Sequence, residues 1–444
     1  MIRIQLLIIS FLSVSFCMEA QEALTITQCY ELARNNYPLI KQHDLINKTE
    51  QYNLASAAKG WLPQIAVNAK ATYQSDVTKL PFDSEKLSAI IPGFSIPTLG
   101  KDQYQATAEL SQTIWDGGVI HSARELTKAQ ATANRQQLES DLYALNEKVN
   151  QLYFGCLLQD ELISQNNLLQ KELQVNIDRI TAMMENGVAN QSDKESLEVE
   201  LLNARQHEIE LKAGRKACSR MLGILITPPN PLKEGPYEEL ILTTPSIFSV
   251  PPQRGWDGRL EELGVNRPEL KALEAQSHLT DIQNKQIAAG LMPRIGLFAQ
   301  GGYGRPGLNM LEDSFEPFYI AGVRLSWNIG KLYTVKNDRR KVETGRRAIG
   351  IQRDVFLFNT AMQLMQQNTE IQKMTDLLKA GDEIVRLRTS IKKAAEAKLE
   401  NGVISVTDLI REINAEDMAR QTVAANRIRQ LMAIYNYMYT TNNN

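Results

Sequence analysis

Polar and apolar residues alternate strictly along four segments of the chain. In residues 62–74, Ile65, Val67, Ala69, Ala71 and Tyr73 share one face, and Gln64, Asn68, Lys70 and Thr72 the other. In residues 102–115, Tyr104, Ala106, Ala108, Leu110 and Ile114 oppose Gln103, Gln105, Thr107, Glu109 and Ser111. In residues 292–304, Ile295, Leu297, Ala299 and Tyr303 oppose Arg294 and Gln300, with Phe298 out of step. In residues 318–329, Tyr319, Ala321, Val323, Leu325, Trp327 and Ile329 oppose Arg324, Ser326 and Asn328. A period of two predicts strands, each long enough at about 10–13 residues to cross a bilayer at a tilt. Tyr73, Tyr104, Tyr303 and Tyr319 at the strand ends suit interfacial girdles.

A different period governs most of the remainder. Leu138, Leu142, Leu145, Val149, Leu152 and Cys156 recur at alternating four- and three-residue steps, the seam of a coiled coil. Gly118 to Asn186 holds no proline and, after Gly118, one glycine, so the pattern predicts one continuous helix there and another over Lys331 to Asn401. At 1.5 Å per residue such helices approach about 100 Å and need lateral partners along their length. Gly187 and Gly402 suit a helix-ending left-handed turn. Asn190 and Ser405 then cap the next helix, with Asp193 and Asp408 at the N3 position of a capping box.

The two patterns recur as a duplication. Asn36, Pro38, Ala58, Gly60, Pro63, Ile65 and Tyr73 match Asn266, Pro268, Ala288, Gly290, Pro293, Ile295 and Tyr303 at one constant offset. Glu185-Asn186-Gly187-Val188 matches Glu400-Asn401-Gly402-Val403 at an offset fifteen shorter, because the first half carries extra residues between Tyr73 and Leu110. This predicts a first repeat over 21–226 with a tip near 187–193, and a second over 257–444 with a tip near 402–408. Residues 227–256 hold seven of the sixteen prolines and read as a linker.

Four strands cannot close a membrane barrel, since the smallest have about eight, and an open sheet edge is untenable in lipid. If the strands span a membrane, several chains must share one barrel.

Composition alone argues differently. Mean hydropathy is −0.30, and no long apolar run follows the N-terminus, which by itself suggests a soluble protein. A barrel hides its lipid face in every second residue, so the arithmetic does not exclude one. The net charge of −2 offers no footprint for nucleic acid. Residues 1–20 read as a secretory signal, with Arg3 before the apolar stretch Leu6 to Phe16. Phe16 argues against lipidation of Cys17. Cys29, Cys156 and Cys218 are too widely spaced for a disulfide framework and read as small apolar residues. No catalytic or metal motif is present: His43, His121, His207 and His278 are scattered. Met183-Met184 suits a helical seam better than a soft-metal site. The glycine-rich Gly301 to Gly307 lacks the following Gly-Lys and reads as a strand end and loop. No cofactor is implied, and the chain does not read as an enzyme.

Leu24-Thr25-Ile26, Tyr30-Glu31-Leu32-Ala33, Asn35-Asn36-Tyr37-Pro38, Trp61-Leu62-Pro63 and Ile114-Trp115-Asp116-Gly117-Gly118 occur in order within this duplicated layout. So arranged, the chain resembles the TolC-like outer membrane efflux proteins over nearly its whole mature length. The resemblance implies an α+β membrane protein: a homotrimer in which each chain gives four strands to a shared twelve-stranded barrel in outer membrane lipid. Long coiled-coil helices would form a periplasmic tunnel, with residues 227–256 at its equator. It implies a passive exit duct, fed by an inner-membrane pump of RND or ABC type through a periplasmic adaptor (membrane fusion) protein. Adaptor-contact tips would be Gly187, Val188, Gly402 and Val403. The entrance acidic ring would include Asp408, with Asp193 in the equivalent turn. The family's second acidic position falls on Arg411, and its basic tip residue on Ile404. The competing reading is a periplasmic coiled-coil scaffold without a pore, which leaves the four alternating strands unexplained.

Overall fold

A computed structural model describes residues 23–78, 99–228, 240–246, 264–310 and 312–442. The signal segment, most of the insertion between Tyr73 and Leu110, and most of the proline-rich linker lie outside the described residues. By its contacts the chain divides into two compact units. One comprises residues 1–40, 141–267 and 358–444, the other 41–140 and 268–357. Each unit thus draws on both sequence halves.

The second unit carries a four-stranded antiparallel sheet in the order β1-β2-β3-β4. The strands are β1 (Gln64–Tyr73), β2 (Asp102–Trp115), β3 (Arg294–Arg305) and β4 (Glu316–Ser326). Register pairs Val67 with Ala108, Leu110 with Ala299, and Ala299 with Ala321. The apolar positions of all four strands therefore share one face, and that face is bare: Val67 is 76% exposed and Tyr319 81%. β1 and β4 have no further strand beside them among the described residues.

The opposite face explains the residue that broke the alternation. Phe298 stands opposite Gly322, and Phe318 opposite Gly302. A β-carbon at Gly302 would lie 2.5 Å from the Phe318 ring, and one at Gly322 would lie 3.2 Å from Phe298. The rings thus cover cross-strand glycines. The Arg324 guanidinium sits 4.5 Å from the Phe298 ring centre and pairs with Glu109 at 2.8 Å.

Two expectations need correction here. Ile114 does not continue the alternation: the β2–β3 register shifts between Thr113 and Trp115, so Trp115 pairs with Ile295. Trp327 and Ile329 lie past the end of β4, and the Trp327 indole donates to the Leu291 carbonyl at 3.0 Å.

The same unit also contains α2 (Gln42–Ala58), α3 (Val119–Tyr143) up to Ser140, α6 (Pro268–Ala289) and the first part of α7 (Lys331–Glu400). The turn leaving β2 is chemically determined. Asp116, 5% exposed, accepts from the amides of Gly118 at 2.8 Å and Ile120 at 2.5 Å, satisfying the first donors of α3. Gly117 holds φ +69°, and a β-carbon there would lie 2.3 Å from the Met292 β-carbon.

The helical unit contains α1 (Ile26–Asn36), α4 (Leu145–Glu185), α5 (Gln191–Ile226), the rest of α7, and α8 (Val406–Thr441). The helix predicted over 118–186 is interrupted at Ala144, between α3 and α4. Thr25 caps α1 through a capping box with Gln28. Ile26, Cys29 and Ala33 of α1 join Val149, Tyr153, Phe154, Leu222, Leu240 and Leu431 in one core. The buried Tyr153 hydroxyl lies 2.9 Å from the Leu24 carbonyl and 2.5 Å from that of Thr243, beside the parallel bridge of Leu24 with Leu242. Asn36 closes the end of α5 by donating to the Ile226 carbonyl at 2.5 Å. A second core of Leu173, Ile177, Leu197, Leu201, Leu409 and Ile413 underlies the far turns of the unit.

Gly117→Ala loses about 1–2 kcal/mol from the left-handed backbone alone and must also displace Met292. A lower thermal midpoint in detergent than wild type is the expected result, and Gly118→Ala, with open space around its β-carbon, is expected to fall less.

Candidate functional site

The two helical hairpins of the helical unit end in turns of the same construction. After α4, Gly187 holds φ +73°, its amide donates to the Met184 carbonyl at 2.9 Å, and the Val188 amide donates to that of Met183 at 2.9 Å. After α7, Gly402 holds φ +69°, with the Gly402 amide on the Leu399 carbonyl and the Val403 amide on that of Lys398, both at 2.9 Å. This pattern satisfies the last carbonyls of a helix, and it commonly packs the residue after the glycine against the helix. Here that residue stays out: Val188 is 64% exposed and Val403 68%.

Both next helices begin with full capping boxes. Asn190 accepts from the Asp193 amide at 3.0 Å, and the Asp193 carboxylate accepts from the Asn190 amide at 3.2 Å. Ser405 Oγ accepts from the Asp408 amide at 3.2 Å, and the Asp408 carboxylate accepts from the Ser405 amide at 3.2 Å and from its hydroxyl at 2.7 Å. Ala189 and Ile404 pack on the apolar cluster beneath, as do Met183 and Met184. Each turn is therefore a hydrogen-bonded tip carrying one exposed valine.

Arg411 pairs with Asp408 at 3.5 Å on the outside of α8, and Arg411 is 72% exposed. Hydrogen bonds from the Ser405 side chain and backbone, with Arg411 beside them, hold the Asp408 carboxyl below the usual carboxylate range. Asp193 and Asp408 thus both have local capping roles, and Asp408 shares its charge with Arg411.

The spacing of residues along each helix did not reveal an ionic cluster above the turns. Lys392 of α7, 9% exposed, lies 2.5 Å from Glu172 of α4 and 2.5 Å from Glu416 of α8. Arg420 approaches Glu416 at 2.5 Å, and Thr389 donates to it at 2.5 Å. Glu416 is 1% exposed. Burial pushes its carboxyl up, but hydrogen bonds from Lys392, Thr389 and Arg420 outweigh that and hold it at about 2. Beside it, burial raises Asp417 to about 6 against its bond from Gln421. The one sequence signal was a carboxylate at a seam position: Leu409, Ile413, Glu416, Arg420 and Val423 follow the four-three step. Among the described residues no cluster of His, Cys, Asp or Glu is arranged to hold a metal ion.

Comparison with known proteins gives this architecture its class. The family model described as outer membrane efflux protein matches residues 29–222, which run from α1 to the end of α5. No curated protein matches the chain by sequence. Solved channels share the fold across nearly the whole chain. The outer membrane protein VceC of Vibrio cholerae has a TM-score of 0.64 at 13% identity, covering 94% of this chain and 95% of its own. The CmeC outer membrane channel of Campylobacter jejuni gives 0.61 at 13%, covering 94% and 85%. The open state of the MtrE outer membrane channel of Neisseria gonorrhoeae gives 0.61 at 13%, covering 94% and 88%. Residues 29–222 thus match the outer membrane efflux protein family, and the chain as a whole has the fold of these solved outer membrane channels.

Because the lowered Glu416 carboxyl favours the folded state only while ionised, its contribution is full above about pH 4.5 and disappears as pH falls towards 2. Unfolding midpoints followed across that range are expected to show the acid-side loss in wild type and a flatter profile in Glu416→Gln. At pH 7, Lys392→Met leaves the buried carboxylate with weaker compensation and is expected to lower stability by about 3–5 kcal/mol.

Proposed function

We propose that the chain is the outer membrane exit duct of a tripartite efflux or type I secretion system. It passively exports what an inner-membrane pump of RND or ABC type delivers through a periplasmic adaptor. The observation that carries this is the sheet: four strands, one continuous apolar face, and two open edges. Such a sheet satisfies its backbone in lipid only by joining β4 of one copy to β1 of the next. The helices repeat the argument. α5 exposes Val199, Leu202, Ile209 and Ile224, while α7 exposes Leu377, Ile384, Leu387 and Ile391, two apolar stripes without a partner among the described residues. A head-to-tail ring of copies covers both. Three copies supply twelve strands, the homotrimer that the family resemblance implies. A pore-free scaffold gives the apolar sheet face nothing to do.

In this reading the tips at Gly187-Val188 and Gly402-Val403 meet the adaptor. Their valines offer apolar area on turns that need no rearrangement to bind. Asp408, with Arg411, and Asp193 stand at the entrance and set its charge. The two repeats, 21–226 and 257–444, are copies of one strand-and-hairpin unit joined by 227–256. The duct uses no energy and needs no cofactor. Its inner face carries Arg324, Glu109, Gln300 and Thr107, suited to a wet channel.

Purified trimer in planar bilayers is expected to conduct ions, and its failure to do so in any oligomeric state would sink the duct reading. The double variant Val188→Asp with Val403→Asp should keep wild-type conductance yet lose adaptor capture, by tenfold or more. Equal capture would remove the tips from the interface. Asp408→Ala should weaken cation preference at the entrance, read as a shift in reversal potential across a salt gradient.

A further inference from the structure

Cys156 and Cys218 sit on opposite arms of the first helical hairpin, each thirty-one residues from Gly187. An antiparallel hairpin folded about that glycine brings them to the same level. The structure bears this out in the layer around them. Arg215 of α5 donates to Asp160 of α4 at 2.6 Å. A β-carbon at Gly214 would lie 3.3 Å from the Gln159 side chain. Gly155 leaves α4 without a side chain next to the pair, and a β-carbon there would lie 3.5 Å from Cys218 Sγ. Both are free thiols, and Cys218 beside Cys156 adds to the burial that raises the Cys156 thiol. Cys156 is fully buried and Cys218 half-buried.

We propose that Cys156 and Cys218 close to a disulfide in the mature protein, stapling α4 to α5. The proposal rests on the outer-membrane reading for one thing only, the oxidising compartment in which the helices fold. Its co-reactant is a dithiol-forming protein disulfide of that compartment. Cys218, half-buried where Cys156 is fully buried, is the more accessible of the two and reacts first. Its thiolate attacks one sulfur of the oxidant and expels one thiolate, leaving a mixed disulfide. Cys156 then gives up its proton and attacks the Cys218 sulfur, expelling the second thiolate. The two protons end on the two thiols of the reduced oxidant, and the cysteine pair has lost two electrons. The step belongs to folding, before α4 and α5 fully enclose Cys156. Once formed, the bond forbids α4 and α5 from sliding past each other at this level. Relative movement of the arms is then confined to the stretch between the bond and the tip.

The test uses full-length protein extracted in detergent from outer membranes, with N-ethylmaleimide present from lysis and no reductant. Peptide mapping is expected to find Cys156 and Cys218 in one linked species, lighter by two hydrogens than the sum of its peptides. Cys29, buried and free, should be the position in α1 that takes label only after denaturation. Reduction before denaturing alkylation should release both partners for labelling. In Cys218→Ser, Cys156 should take label on denaturation without reductant. Recovery of Cys156 and Cys218 both labelled in unreduced, denatured wild type overturns the proposal. A disulfide count is independent of conductance, so the duct reading and this one fail separately.

Discussion

An unpaired strand edge beside an apolar face is the constraint on which the rest of the structure depends. Each backbone amide and carbonyl on the outer edges of β1 and β4 needs a partner, and hydrocarbon offers none. The chain cannot supply it, having four strands and no more among its described residues. In the proposed duct the answer comes from copies of the same chain, and the helical unit poses a demand of its own. α5 and α7 are its two exposed margins, each with an apolar stripe that water disfavours. In the proposed duct, neighbouring copies meet the hydrogen-bonding demand of one unit and the burial demand of the other.

Long helices with repeating seams raise a separate problem, since a seam that recurs every seven residues fits nearly as well when slipped by one repeat. Lys392, Glu172, Glu416 and Arg420 remove that degeneracy. In the observed register three helices exchange ion pairs at 2.5 Å. In a slipped register Glu416 would face apolar side chains with its charge uncompensated, which costs several kcal/mol. The cluster is a poor source of net stability compared with an apolar core, but it discriminates strongly between alignments. The capping boxes at Asn190 and Ser405 do the equivalent at the turns, fixing where each helix begins.

Much of this was legible in the sequence because period two and period three-and-a-half are direct consequences of backbone geometry. The strands were placed to within about three residues, and the turn glycines and caps were identified from residue type and position. What failed did so where neighbours in space override neighbours in sequence. Ile114 sits at a register shift that only the partner strand reveals. Phe298 looked misplaced because the glycine it covers lies on another strand. Lys392 and Glu172 are more than two hundred residues apart, so no local pattern joins them. Asp193 and Asp408 are read from the sequence as N3 residues of capping boxes, and both boxes are present.

The phenylalanine–glycine pairs on the inner face of the sheet tie the evolutionary histories of distant positions together. Gly302 and Gly322 have no room for a β-carbon without moving Phe318 and Phe298. Neither glycine can drift to another residue while its aromatic partner stays, and neither ring can shrink without uncovering bare backbone. Such positions change in couples or not at all. Among descendants of this sequence, sites 298 and 322, and sites 302 and 318, should therefore carry a shared memory of substitution that their neighbours along each strand lack.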